Sequence, residues 1–157
     1  GTILDNILLG DPTITRDMAI TAAKTVNAHG FISSLRDGYD TLLQERGTNL
    51  SQGERQLLAF ARVLAADPEV LVLDEATASI DTETERLIQD GLEKLMVDRT
   101  AILIAHRLQT IQQANKILVL QSGKVIEYGT QQELLELKGL YQTLHELQFQ
   151  DLKTVPN

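Results

Sequence analysis

The run Val70-Leu71-Val72-Leu73-Asp74-Glu75 delivers two adjacent carboxylates to the end of a short apolar segment rich in β-formers. An unbroken run of this kind predicts a strand buried on both faces, the habit of central parallel strands in α/β domains. Ligands of such domains gather beyond the carboxyl ends of the strands, so Asp74 and Glu75 stand where a nucleotide would lie. One carboxylate there can help hold a magnesium ion, whose charge offsets that growing on phosphates. The next can orient or polarise an attacking water within hydrogen-bond reach. A second apolar segment, residues 101–105, ends in His106. Taken alone, the acidic pair could instead cap the following helix or face solvent, and His106 could be a structural histidine at a strand end.

Upstream, Ser51 and Glu54 have the Ser-x-x-Glu spacing of a capping box, and Leu57, Leu58, Ala61 and Leu64 follow at helical intervals. The pattern predicts a helix over residues 52–65. The amino end of a helix carries unpaired amides and partial positive charge, a natural seat for a terminal phosphate, and Gly53 would let that backbone approach closely. The plainer alternative is an ordinary cap on an amphipathic helix.

Residues 49–81, NLSQGERQLLAFARVLAADPEVLVLDEATASID, resemble the signature motif, Walker B strand and D-loop of an ATP-binding cassette (ABC) ATPase. IAHRL at 104–108 resembles the switch-histidine segment of that family. The resemblance covers residues 1–148, with the motifs in family order. It implies an α/β fold: a P-loop NTPase-like core with a partial parallel sheet and flanking helices, plus an α-helical signature subdomain. The implied division is residues 1–65 for the helical subdomain, 66–150 for the carboxy-terminal part of the ATPase core, and 151–157 for a tail. By the same resemblance ATP and Mg2+ are the ligands. Asp74 reaches magnesium through water, Glu75 positions or deprotonates the hydrolytic water, and His106 contacts the terminal phosphate. Ala78-Ser79-Ile80-Asp81 match the D-loop, with Ser79 and Asp81 at the interface between two ATP sites. Ser51, Gln52 and Gly53 close over an ATP held by a second nucleotide-binding domain, in a homo- or heterodimer.

Two departures stand out. The commonest signature is Leu-Ser-Gly-Gly-Gln, whereas Gln52 replaces its first glycine and Glu54 its glutamine. A side chain at 52 restricts the backbone, and a carboxylate at 54 either repels phosphate or caps the helix. No Gly-x-x-x-x-Gly-Lys-Ser/Thr loop, the usual phosphate cradle, occurs among these residues. The chain therefore reads as the back half of a cassette, without ATPase activity by itself. Gly1-Thr2-Ile3-Leu4-Asp5-Asn6-Ile7 and Gln44-Glu45-Arg46-Gly47 resemble exporters that carry membrane spans in the same polypeptide. In that branch the Glu-Arg-Gly stretch touches the transmembrane domains, although Glu45-Arg46 alone would read as a solvated charge pair. The implied setting is the cytoplasmic face of the cell membrane. Two other readings are a soluble cassette ATPase of DNA repair or chromosome organisation, and an ATP-binding partner with weak hydrolysis in an asymmetric dimer. The first of these lacks its heptad coiled coils and basic surface here, while Glu75 and His106 argue against a silent site.

Composition narrows the classes further. The 157 residues are 43% hydrophobic, enough for a single core, though a missing front half would leave one side of it bare. A formal net charge of −8 with 14 basic residues gives little reason to bind nucleic acid or an anionic membrane. With no cysteine there is neither a disulfide framework nor a thiolate metal site. No apolar stretch approaches the ~20 residues needed to cross a bilayer, and no signal-peptide pattern is present, so any membrane link comes from elsewhere.

The elements that must position these groups follow from periodicity. Helices are predicted over residues 2–9 and 15–28, the latter with Met18, Ala22 and Val26 on one face, and a helical turn over 31–35. After Asp81, Thr82-x-x-Glu85 predicts a cap, and Leu87, Ile88, Gly91, Leu92, Leu95 and Met96 a buried helical stripe. A strand over 100–105, a short helix over 108–114 and a strand over 116–121 lead to Ser122-Gly123, a tight hairpin turn into 124–128. Thr130-x-x-Glu133 caps another helix, and Gly139 separates it from a last one over 140–148. His29 and His145 have no ligand-spaced partner and are predicted at the surface.

Overall fold

Thr2 opens the first helix with a reciprocal cap: its hydroxyl accepts from the Asp5 amide at 3.0 Å, and the Asp5 carboxylate accepts from the Thr2 amide at 2.8 Å. In the computed structural model, which describes residues 1–74, 81–104, 111–112 and 114–153 apart from the side chains of Arg46 and 148–153, this box starts α1, Ile3–Leu8. Its Ile3 and Ile7 are fully buried. Thr15 caps α2, Arg16–Thr25. That helix ends at Thr25 rather than 28 because Asn27 takes a left-handed φ of 65°, and Ala28–Ser34 form a separate helix, α3. The buried face of α2 is built from Ala19, Ala22 and Ala23, followed by Val26. Met18, predicted to share a face with Ala22 and Val26, is exposed in the first turn.

Helix α4, Gln52–Ala65, matches its predicted span and buries Leu57, Leu58, Phe60, Ala61 and Ala65. It contacts α1, α2 and α3, and also α5, Thr82–Met96. Strands β1, Val70–Asp74, and β2, Thr100–Ile104, form a two-stranded sheet on either side of α5 in the chain. The Thr100 amide donates to the Glu69 carbonyl at 3.1 Å, so the strands start side by side and run parallel, as a strand-helix-strand crossover requires. Leu71 is buried, and Leu73, Ala101 and Leu103 pack against the helical core. The alternate residues Val70, Val72, Ile102 and Ile104 are 57, 67, 55 and 51% exposed. Burial on both faces is thus corrected: among the described residues, helices cover one face of this sheet and leave an apolar face bare.

Residues Gly1–Leu103 form one compact unit and Ile104–Asn157 a second. In the second, β3, Ile117–Gln121, and β4, Lys124–Gly129, pair antiparallel, with Leu118 opposite Tyr128 and a register shift between Val119 and Leu120. Ser122 and Gly123 both have positive φ, 51° and 76°, the backbone of the favoured two-residue hairpin turn. Thr130 and Glu133 form a full capping box on α6, Gln131–Leu137. Glu127, reaching across from β4, accepts from the Leu140 and Tyr141 amides at 2.5 and 3.0 Å and so caps α7, Leu140–Lys153. Ile117, Val119, Leu134 and Tyr141 form the buried cluster here. Among the described residues no helix is long and apolar enough to cross a membrane.

Candidate functional site

The Ser51 turn is built by reciprocal capping. Ser51 Oγ accepts from the Glu54 amide at 3.2 Å, and the Glu54 carboxylate accepts from the Ser51 amide at 2.7 Å. Of the two roles open to Glu54, the structure displays the cap. Arg55 braces the same turn from behind, donating to the Leu50 carbonyl at 2.5 Å and the Gly47 carbonyl at 3.4 Å. Ser51 and Gln52 are exposed while Gly53 is buried, and helix geometry points the amides of the first turn out of the end. The result is a doubly capped helix terminus with a hydroxyl at its rim, where the partial positive charge of the helix end meets the Glu54 carboxylate.

Asp74 closes β1 with an exposed carboxylate. Its neighbour Glu75, and Ser79 with it, belong to residues 75–80, and His106 to residues 105–110; all three predicted site residues lie outside the described residues. Asp81 lies within them, exposed. It is the true cap of α5, accepting from the Thr84 amide at 2.9 Å, one residue earlier than the Thr82 cap predicted. That amide bond holds the Asp81 carboxyl below its ordinary range. The predicted short helix over 108–114 also falls largely outside the described residues.

A surface cavity of about 560 Å³ brings Ser51 and Glu54 together with Thr84 in the first turn of α5, and with Lys24 and Asn27. Its wall includes Leu87, which was predicted in the buried stripe of α5 but is exposed. His29 lines it too; rather than lying free at the surface it is half-buried, its Nδ1 2.9 Å from the Tyr39 hydroxyl. His145 is likewise half-buried, its ring beside that of Tyr141. A second cavity, of about 430 Å³, is lined by Asn6, Gln44, Glu45, Arg55 and Arg62. Arg62 ties α4 to α1 through the Asn6 carbonyl at 2.8 Å. The roles of Asn27, Arg55 and Arg62 escaped the sequence reading, because each donates to a carbonyl that no side-chain motif announces.

The family described as ABC transporter matches residues 2–78. Across 150 residues, 96% of the chain, it is 50% identical to the ABC transporter ATP-binding protein YfiC of Bacillus subtilis. The chain belongs to the ABC transporter family. It is also 47% identical, over 94% of its length, to a putative multidrug export ATP-binding/permease protein of Staphylococcus aureus. Among solved structures, a bacterial Atm1-family ABC exporter with ATP bound superposes with a TM-score of 0.82 at 42% identity over 94% of the chain. The P-loop NTPase-like α/β fold expected of an ABC ATPase is therefore present. The chain spans about a quarter of the length of these relatives, 25% of the two bacterial proteins and 26% of the exporter chain.

Proposed function

We propose that this chain is the nucleotide-binding portion of an ABC exporter, in which ATP binding and hydrolysis drive export of a substrate across a membrane. The observation that carries the reading is its likeness, over 94% of its length, to an exporter with ATP bound. Residues 1–65 act as the helical signature subdomain and 66–150 as the rear of the ATPase core. The bare apolar face of β1 and β2 is suited to seat the remainder of that core. Two such cassettes stack head to tail on the cytoplasmic face of the membrane, and the transmembrane domains belong to the same polypeptide.

Each residue then has a chemical task. Ser51, with Gln52 and Gly53, presents a hydroxyl and the positive end of α4 to the terminal phosphate of the neighbouring cassette's ATP. Ser79 and Asp81 line the interface between the two nucleotides. Asp74 offers an exposed carboxylate that would hold a hydrated magnesium ion through water. When bound, the ion offsets charge on the phosphates. Glu75 accepts a proton from the attacking water as its oxygen bonds to the γ-phosphorus and ADP departs, while His106 steadies the phosphate oxygens. The cavity at Glu45 and Arg62 lies beside the Glu-Arg-Gly stretch and suits contact with the transmembrane domains.

Glu75→Gln in the complete protein is expected to preserve ATP binding while nearly abolishing phosphate release. Wild-type turnover in that variant would overturn the reading. The chain by itself is expected to show no magnesium-dependent ATPase above background.

A further inference from the structure

Asn27 occupies the corner between α2 and α3, and its backbone is left-handed, with φ 65° and ψ 13°. Asparagine tolerates that conformation better than most residues. It also stands at the amino terminus of α3, yet its side chain makes no capping bond there. Instead the amide Nδ2 crosses to α5, donating to the Leu87 carbonyl at 3.0 Å and to Asp90 Oδ2 at 2.6 Å. Lys94 Nζ donates to the same Asp90 Oδ2 at 2.5 Å. One turn along, α5 passes so close to this corner that a Cβ on Gly91 would lie 2.9 Å from the Val26 carbonyl oxygen. The corner is therefore docked on α5 by a directed polar tie and a backbone approach.

Polar ties this exposed add little to global stability. Their geometric effect is larger. Asn27, Ser51, Glu54, Thr84 and Leu87 line one cavity, so the tie borders the same space as the Ser51 turn and the first turn of α5, which Asp81 caps. Helix α2 packs on α4, whose cap is Ser51, and the corner after α2 is pinned to α5.

We propose that Asn27 is a positioning residue for ATP turnover, its amide locking the Ser51 turn at a set spacing from Asp81 so that both meet the neighbouring nucleotide as one body. The inference rests on the reading of Ser51 and Asp81 given above. Removal of the tie frees the corner after α2 from α5 while α4 stays packed on α5, so the Ser51 turn and the D-loop helix hold their spacing less tightly. That lowers the fraction of closed sandwiches with reacting groups aligned, and leaves the cassette's hold on its own ATP intact.

The test uses the complete transporter polypeptide carrying this chain. Asn27→Gly keeps the left-handed backbone and removes the amide, Asp90→Ala removes its acceptor, and Asp90→Asn keeps an oxygen there. Asn27→Gly and Asp90→Ala are expected to lower kcat roughly 5-fold with KM for ATP within about 2-fold, the pattern of an interaction used at the transition state. Asp90→Asn should restore most of the loss, and the double variant Asn27→Gly/Asp90→Ala should be no slower than the worse single one. Unchanged kcat in folded Asn27→Gly and Asp90→Ala, or Asp90→Asn as slow as Asp90→Ala, would overturn the proposal. Should Asn27→Gly fail to fold, the contrast between the two Asp90 variants decides by itself, since Asp90 is exposed. Ser51→Ala is measured in parallel. If it turns over normally, the underlying reading fails; if it is crippled while the Asn27 and Asp90 variants are not, only the present inference fails.

Discussion

Glu54 places its carboxylate at the edge of the α4 terminus, where it accepts from the Ser51 amide. Glutamine serves a capping box as well as glutamate does. Glu54→Gln is therefore expected to leave the unfolding free energy within about 0.5 kcal/mol of wild type, whereas Ser51→Ala should lose about 1 kcal/mol with the cap. Denaturant titration of the two variants checks this. The Ser51 and Glu54 pairing was legible because its partners are three residues apart, and local spacing is what a sequence displays best. Asp81 and Thr82 illustrate the limit. Both are good caps, and Thr82-x-x-Glu85 imitates a box, but the Asp81 carboxylate reaches the Thr84 amide and takes the position. Asn27 was illegible altogether, since its partners lie 60 and 63 residues away.

At the level of elements, the apolar runs announced β1, β2, α4 and the hairpin within a residue or so, because hydrophobic periodicity reports local geometry directly. What it could not report was how many neighbours each element has. An unbroken apolar strand reads as buried twice over, yet Val70 and Val72 face outward because only Leu71 and Leu73 meet the helical core. The opposite ambiguity holds for Gly91, which looked like one more small residue in a buried stripe. Its absent side chain is what admits the Val26 carbonyl, and Phe60 lies against the same point. Gly91→Ala is expected to destabilise the first unit by about 1–3 kcal/mol, since backbone must move to relieve the contact. A lowered denaturation midpoint with an unchanged m-value would register that loss without expansion of the unfolded chain.

Over the whole molecule, apolar residues are exposed on β1 and β2 of the first unit and, at Leu118, Leu120, Val125 and Tyr128, on the hairpin of the second. Patches of this kind mark surfaces that other protein covers. Val72→Lys offers a direct check, because Val72 is two-thirds exposed here. In the isolated chain it is expected to shift stability by less than about 0.5 kcal/mol while reducing self-association in sedimentation. In the complete protein the same lysine should be strongly destabilising. The family was legible from short motifs. That one side of the core would be bare was expected from the absence of a phosphate loop, but which strand face it would be was not legible, since β1 reads as buried on both sides.

The Glu127 bridge makes the two halves of the second unit depend on each other. The last helix borrows its starting cap from a strand of the hairpin, so its first turn is anchored only where the hairpin holds that carboxylate in place. Loss of the final helix would in turn strand an acceptor beside Ile117 and Val119. A truncation there would loosen the hairpin as well as shorten the protein, and the stretch after Gly139 is a keystone rather than an appendage.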